Sequence, residues 1–449
     1  MPTKGRSTQS KESAGQTTEC CESSTNPAPK ELQSSTGLTS VDSPPEAQRA
    51  DQLCRQPTFS PGVPQDSMSR KLFHHYDQAI APRMVWVDSA DNPFRNVVMQ
   101  VATQSPALMS SILTLASGDL RARSHDALVP ISNHSNQLNR YQEQTLSHLV
   151  NHLKDRIENQ PGVTHLSQLA GAVLATFFLS HLSINLGDYT ARRLHIRATW
   201  SMIEHWNLSP PNVHASLAPI RDFLLEEVYI LKVAEFVSSF QPWELPYGAA
   251  STLSIEKPFI QYCHTIMEVS HIERNKRAYE STTNPQLPLR VLLRKLQEAR
   301  ELSKAYRLMF ESSVESRDTF NYVIDLFHYA GVIYTCQVVN DEPESRKIAI
   351  DTHYTLLELL RQCSDLSLIA QDLAWPIFLA GTECYDSPED RLLVEEKMGE
   401  IMGITGFTER QRVLFFLKEY WDLWDKDPST NWIDMAEAYA KRGEPLFIF

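Results

Sequence analysis

Two histidines in this sequence have a spacing that suits a metal ion. His148 and His152 are four residues apart, so on a helix both imidazoles would lie on one face, where zinc can be held. The metalloprotease form of this motif has glutamate at the second position, but this chain has Leu149 there, and no third ligand is placed nearby. We therefore interpret the pair as solvent-facing histidines on an amphipathic helix and predict no metal site.

Nucleophile and phosphate-binding motifs are absent from the chain. It contains no G-x-S-x-G, no P-loop and no G-x-G-x-x-G. The seven cysteines include no C-x-x-C pair and form no disulfide framework, which predicts free thiols in a reducing compartment. They are Cys20, Cys21, Cys54, Cys263, Cys336, Cys363 and Cys384. We predict no catalytic site and no cofactor, and therefore a protein that is not an enzyme.

Three arginines cluster on one predicted helix, Tyr189–Trp206. Arg192, Arg193 and Arg197 are suited to a phosphate group or an acidic partner. They are equally suited to the polar face of an amphipathic helix whose inner face holds Leu194, Ala198 and Met202. The second interpretation is favoured, because the periodicity of the helix already requires a polar side.

Acidic and aromatic residues alternate near the end of the chain, in Glu419–Asp434. Disordered activation segments have this kind of composition. A helical stripe also continues into the segment, through Val413, Phe416, Tyr420 and Trp424. We favour a packed C-terminal helix for that reason.

Composition divides the chain at residue 68. Residues 1–68 contain 19 Ser plus Thr, 8 Pro and few large apolar side chains, which predicts a disordered tail. The tail carries a net charge of −2 out of −13, leaving −11 on a predicted helical domain at residues 69–449. This acidic balance argues against a dominant phosphate-binding surface.

The domain from residue 69 onward is predicted to be all-α, an irregular array of about 13–16 helices. The chain has no Asn-Gly, Asp-Gly or Gly-Gly hairpin signal, and apolar residues recur in steps of three and four. Three stripes show this: Leu138, Tyr141, Leu146, Leu149, Leu153 and Ile157; Leu292, Leu296, Ala299, Tyr306 and Phe310; and Phe320, Val323, Phe327, Ala330, Tyr334 and Val338.

Three local signals place individual helices. Asn92-Pro93 reads as an N-cap and first helical position, and Trp375-Pro376 as another helix start. Asn185–Asp188 should separate two antiparallel helices. The apolar run Leu169–Leu182 is shorter than the about 20 residues that span a bilayer, so we predict a buried central helix and no membrane partner.

Four stretches of the body resemble the regulatory domain of fungal-specific transcription factors, which usually follows a Zn2Cys6 DNA-binding cluster. They are residues 92–118, residues 175–179 with Trp200, residues 375–383 and residues 413–424. Trp375-Pro-Ile-Phe-Leu-Ala-Gly381 is the most specific of them. The resemblance implies an all-helical domain of a nuclear transcriptional regulator, controlling a metabolic or secondary-metabolite gene cluster, with no catalytic residues.

The sequence departs from this family pattern at the zinc cluster. Six cysteines in two C-x2-C-x6-C halves are needed, whereas residues 1–68 hold only Cys20, Cys21 and Cys54. Either the protein never carried the cluster, or an upstream segment carries it. We expect weak or no direct DNA binding by this chain, and regulation through the transcription machinery or a DNA-binding partner. The alternative is a helical scaffold or adaptor outside transcription.

Overall fold

A computed structural model describes most of the chain from Asp66 onward. The described residues are 66–85, 88, 90, 92–123, 131–158, 164–207, 218–239, 258–278, 288–308, 314–339, 343–363, 365–407 and 409–448. All of them belong to one compact unit, Phe59–Phe449. The predicted disordered tail lies outside them except for residues 66–68, where Asp66 caps the first helix at Ser67.

The described part of the chain is all-α, as predicted, and contains no strand. Its sixteen α-helical segments are α1 Ser67–His75, α2 Pro93–Asn96, α3 Val98–Ala102, α4 Pro106–Arg123, α5 Ile131–Glu158, α6 Thr164–Asn185, α7 Tyr189–Asn207, α8 Ala218–Ser239, α9 Pro258–Ala278, α10 Leu289–Leu308, α11 Val314–Val339, α12 Pro343–Gln362, α13 Ala374–Thr382, α14 Pro388–Thr405, α15 Arg410–Trp424 and α16 Trp432–Lys441. A π turn and a 3₁₀ turn cover 76–84, and a second 3₁₀ turn covers 370–372.

The predicted boundaries of individual helices are confirmed. The Asn92 side chain accepts a hydrogen bond from the Phe94 backbone N–H at 2.9 Å, which caps α2. Gly187 adopts a left-handed φ of 67° between α6 and α7, a conformation that glycine takes without steric cost. Pro376 lies in the first turn of α13, where a missing N–H leaves no helical bond unmade.

Helix α6 forms the centre of the N-terminal half. Every residue of Leu169–Leu182 is buried except the half-buried His181, which confirms the predicted central helix. Helices α4, α7 and α8 enclose it. The stretch Gln168–Asn185 is long and apolar enough to cross a membrane, but 78% of it is buried inside the protein, as in a core helix.

Helix α13 has the same role in the C-terminal half, where α11, α14 and α15 surround it. All nine of its residues are buried. The Trp375 ring meets Tyr334 of α11 edge-on at 5.4 Å, and Phe378 meets Trp432 of α16 at 5.1 Å. The Trp421 indole N–H donates to the Gly381 carbonyl at 2.8 Å, so the buried polar atom of this ring is satisfied.

One predicted stripe is partly wrong. Helix α5 buries Leu138, Tyr141 and Leu149, but Leu146 and Leu153 are exposed. A helix that packs mainly against one neighbour, here α4, buries a narrow stripe, and residues about 100° away face outward. The α11 stripe is confirmed: Phe320 is half-buried, and the other stripe positions are buried, namely Val323, Phe327, Ala330, Tyr334 and Val338. Phe310 of the α10 stripe lies outside the described residues.

A buried carboxylate connects the beginning of the body to its C-terminal half. Asp119 of α4 accepts from His75 at 2.7 Å, from Arg83 at 2.8 Å and from Arg123 at 3.1 Å. Although burial opposes the charge, the hydrogen bond from His75 and the two guanidinium groups lower the pKa of Asp119. Arg83 also donates to the Thr405 carbonyl at the end of α14, at 2.9 Å. A charge with this many donors is fully satisfied.

Replacing Phe177 by Ala should lower the free energy of unfolding by about 3–5 kcal/mol, because the ring is enclosed by Phe94, Phe178 and His181. Phe415→Ala is the matched control: that ring is 61% exposed, so its loss should change stability by about 0.5 kcal/mol or less. Chemical denaturation followed by circular dichroism measures both. A loss below about 1 kcal/mol for Phe177→Ala would show that α6 is not the core helix.

Candidate functional site

The three arginines of α7 do not form the polar face that the sequence favours. Arg192 is only 3% exposed, whereas Leu194, predicted to face inward, is 65% exposed. Ala198 and Met202 are half-buried, and Arg197 is exposed. The prediction of an inner face at Leu194 is therefore wrong, and one cation lies inside the protein.

The buried stripe of α7 explains this orientation. Ile196, Thr199 and Ile203 face the core, and the Thr199 hydroxyl donates to the Thr176 hydroxyl of α6 at 3.0 Å. Arg192 is four residues before Ile196, so it lies on the same stripe and has to enter the interior with it. The packing of α7 on α6 thus determines where the guanidinium group lies.

Helix α8 brings an acid against these arginines. Glu235 is buried, and its Oε1 lies 3.3 Å from the Arg193 Nε. Burial raises the pKa of Glu235, although the charges of Arg192, Arg193, Arg197 and Lys232 oppose the shift. Neither carboxylate oxygen has a hydrogen-bond partner within the described residues. The acid is surrounded by cations but is not held in a hydrogen-bonded pair.

Lys232 lies one turn before this acid on α8 and is also 3% exposed. Its Nζ lies 3.4 Å from the centre of the Trp200 ring, a cation–π contact. The indole N–H of Trp200 donates to Glu204 at 2.6 Å. Burial lowers the pKa of Lys232 to about 7, despite the nearby charges of Glu204 and Glu235.

The C-terminal segment covers Arg192. The guanidinium carbon lies 3.5 Å from the centre of the Phe447 ring, and Phe447 is itself buried. Burial lowers the pKa of Arg192 to about 10, although Glu235 opposes the shift. On the α6 side, burial and the charge of Arg192 lower the pKa of His181 to about 3, so its imidazole is neutral.

These groups constitute one site where α6, α7, α8 and the C-terminal segment meet. We call it the cationic junction, and it consists of His181, Arg192, Arg193, Arg197, Trp200, Lys232, Glu235 and Phe447. Sequence reasoning found only the three arginines and Trp200. The signal for Lys232 and Glu235 was Lys232-Val-Ala-Glu235, two charges one turn apart inside the apolar run of α8.

The remaining candidates from the sequence form no site. His148 is exposed and His152 half-buried on α5, and the described residues contain no group of three or more His, Cys, Asp or Glu placed to hold a metal. Cys263, Cys336 and Cys384 are buried free thiols, and Cys363 is a half-buried one, whereas Cys20, Cys21 and Cys54 lie outside the described residues.

The acidic and aromatic segment at the end of the chain is packed, as predicted. Tyr420 and Trp421 are buried in α15, and Trp432 begins α16 in the core. Trp424 stacks on Tyr385 at 4.7 Å. Acidic residues such as Asp422 occupy the outer face, so the alternation of acids and aromatics is that of a surface helix.

A separate pocket of about 370 Å³ opens between α1, α4 and α5. The Ser69 and Tyr141 hydroxyls are 2.8 Å apart in its wall. Its volume suits a small ligand. Its charged rim groups, Asp66 and Arg140, have opposite signs, so the pocket does not select a class of ligand.

A comparison with protein-family models identifies the body of the chain. The model of the fungal specific transcription factor domain matches residues 71–449. The chain belongs to this family. A search of curated proteins and a search of solved structures returned no match.

Membership of this family supports a role in transcriptional regulation. The stretches that carry the sequence resemblance coincide with the interior: residues 175–179 lie in α6, residues 375–382 form most of α13, and residues 413–424 lie in α15. Their side chains are mostly buried. The family pattern is therefore a packing pattern of this helical body.

The buried ammonium of Lys232 should make stability depend on pH. Because its pKa falls from 10.5 to about 7 on folding, the unfolded chain binds the proton between these values and the folded chain does not, so this group's contribution to stability rises with pH across that window. Lys232→Met removes the contribution. We compare the free energy of unfolding of Lys232→Met with that of the original chain. The variant's value minus the original value should become more negative as pH rises from 7 to 9, by up to about 1.4 kcal/mol per pH unit.

Urea unfolding of both proteins at several pH values measures this difference. Lys276→Met, at a half-buried lysine of α9 that donates to the Val338 and Val339 carbonyls, is the control for the loss of a lysine side chain. A difference between Lys232→Met and the original chain that stays constant over this range would mean that Lys232 is hydrated in the folded protein.

Proposed function

We propose that this chain is a nuclear regulator of transcription that controls a metabolic or secondary-metabolite gene cluster through partner proteins. The match of residues 71–449 to the fungal specific transcription factor domain carries the proposal. The partners are a DNA-binding regulator or the transcription machinery itself. The helical body offers grooves and exposed helix faces of the kind that such partners bind.

The charge of the body supports action through partners. Residues 69–449 carry a net charge of −11, a field that repels a polyanion within the Debye length of about 8 Å at physiological salt. The basic cluster on α7 does not offset it, because Arg192 is buried beneath Phe447 and Arg193 lies against Glu235. Sequence-specific reading of DNA needs exposed basic residues and side chains presented to base edges.

A helical scaffold outside transcription is the alternative function. The same surfaces suit it, and the fold does not separate the two. We propose no catalytic role in either case, because burial and neighbouring charges account for the displaced pKa values of the cationic junction. The location of the protein and its effect on a promoter distinguish a regulator from a scaffold.

Tethering the chain to a promoter should change transcription. We expect fusion of the full chain to an unrelated DNA-binding domain to change expression of a reporter several-fold relative to that domain alone. The fused Phe177→Ala variant, with a destabilised core, should lose most of the effect, whereas fused Phe415→Ala should keep it. An unchanged reporter, with the fusion present in the nucleus, would favour the scaffold.

The purified chain should bind DNA weakly and without sequence preference. Fluorescence titration of duplex DNA at about 0.15 M salt, with and without nuclear extract, measures this. We expect selective binding only when the extract is present. Tight, selective binding by the chain alone would refute action through partners and would point to a DNA-reading element in this protein.

A further inference from the structure

Arg192 is a buried cation with two nitrogen donors that are not used. Its Nε and Nη2 atoms are inaccessible to solvent and have no hydrogen-bond partner among the described residues. The stack on Phe447 engages the face of the guanidinium and leaves these two nitrogens, at its edge, without an acceptor. Buried charges in folded proteins are paired or hold a ligand, because an unsatisfied one is costly.

Glu235 is the buried acid beside Arg192, and it does not bind the Arg192 donors. Arg192, Arg193, Arg197 and Lys232 surround Glu235, and Glu204 is already engaged by the Trp200 indole. The Glu235 oxygens make an ion pair with Arg193 but no hydrogen bond to Arg192. Glu235 therefore does not satisfy the Nε and Nη2 donors of Arg192.

A second unused polar atom lies beside Arg192. The His181 Nε2 has no partner among the described residues, and the centre of the imidazole lies 4.6 Å from the centre of the Phe177 ring. Depending on its tautomer, a neutral imidazole can donate one hydrogen bond through this atom. Arg192 and His181 thus present donors from α7 and α6 at the same buried place.

We propose that the cationic junction is a binding site for a small anion that carries a carboxylate or phosphate group, held by Arg192 with His181 and by the surrounding cations. A planar guanidinium binds both groups through two parallel hydrogen bonds. The anion is small because Arg192 and Lys232 are each 3% exposed, which excludes a protein or nucleic-acid surface from direct contact with them. The site does not depend on the role in transcription.

Calorimetry and thermal unfolding of the full chain test the site, with inorganic phosphate and succinate as separate probes and sodium chloride at matched ionic strength. We expect saturable binding of at least one probe and a rise in melting temperature beyond that in chloride. Binding of phosphate but not succinate would indicate a phosphorylated ligand. Binding of succinate but not phosphate would indicate a carboxylate ligand. A response equal to that in chloride for both probes would overturn the proposal, as expected if water satisfies Arg192.

Two variants separate the site from general charge effects. Arg192→Gln should weaken the binding at least tenfold, and Arg290→Gln should leave it unchanged, because Arg290 lies on α10 with its side chain 82% exposed. If Arg192→Gln does not fold, Arg193→Gln replaces it, since that side chain is partly exposed, and weaker binding is again expected. If Arg192→Gln, or Arg193→Gln in its place, folds and binds the probe as tightly as the original chain, the proposal is overturned.

Carboxylates of the chain itself are competing anions, and Glu244 is the one to test. Glu244 follows α8 in sequence, within residues that the structure does not describe. If its carboxylate occupies the junction, Glu244→Gln should bind phosphate or succinate where the original chain does not, and that result would also overturn the proposal. Equal binding by the original chain and Glu244→Gln supports an external ligand.

Discussion

The body of this protein depends on two helical stretches that are apolar on every side. Leu169–Leu182 of α6 and all of α13 have no polar face to turn toward water, so other helices must surround each of them. Helices α4, α7 and α8 do so for α6, and α11, α14 and α15 do so for α13. Since α8 also packs against α9 and α16, it joins the two halves into one core.

Charged residues are buried where the helices of the body pack together. Two of these buried charges, Asp119 and Arg192, differ in their hydrogen bonding. Asp119 accepts hydrogen bonds from one histidine and two arginines, which makes it a connection between the start of the body and the end of α14. Arg192 has comparable burial, but its Nε and Nη2 atoms have no acceptor among the described residues. The first arrangement is complete and structural, whereas the second is the incomplete kind that ligands fill.

The fold was largely predictable from the sequence, because hydrophobic periodicity, proline and glycine report on local structure. They located α6, the Gly187 break and the start of α13. The cationic junction was not predictable. Whether Arg192 or Leu194 faces inward depends on how α7 rotates against α6, and the contact with Phe447 joins residues far apart in the chain. A helical pattern identifies stripes, but tertiary packing decides which of two competing stripes is buried.

Family membership and the net negative charge of the chain underlie the central proposal, that this helical body acts on transcription through proteins bound at promoters. Chromatin immunoprecipitation of the tagged full chain, with cross-linking that captures protein–protein as well as protein–DNA contacts, tests the claim most directly. The account predicts discrete enrichment at a limited set of promoters, and weaker enrichment when only protein–DNA contacts are cross-linked. No enrichment above an untagged control, under either cross-linking condition, would contradict it.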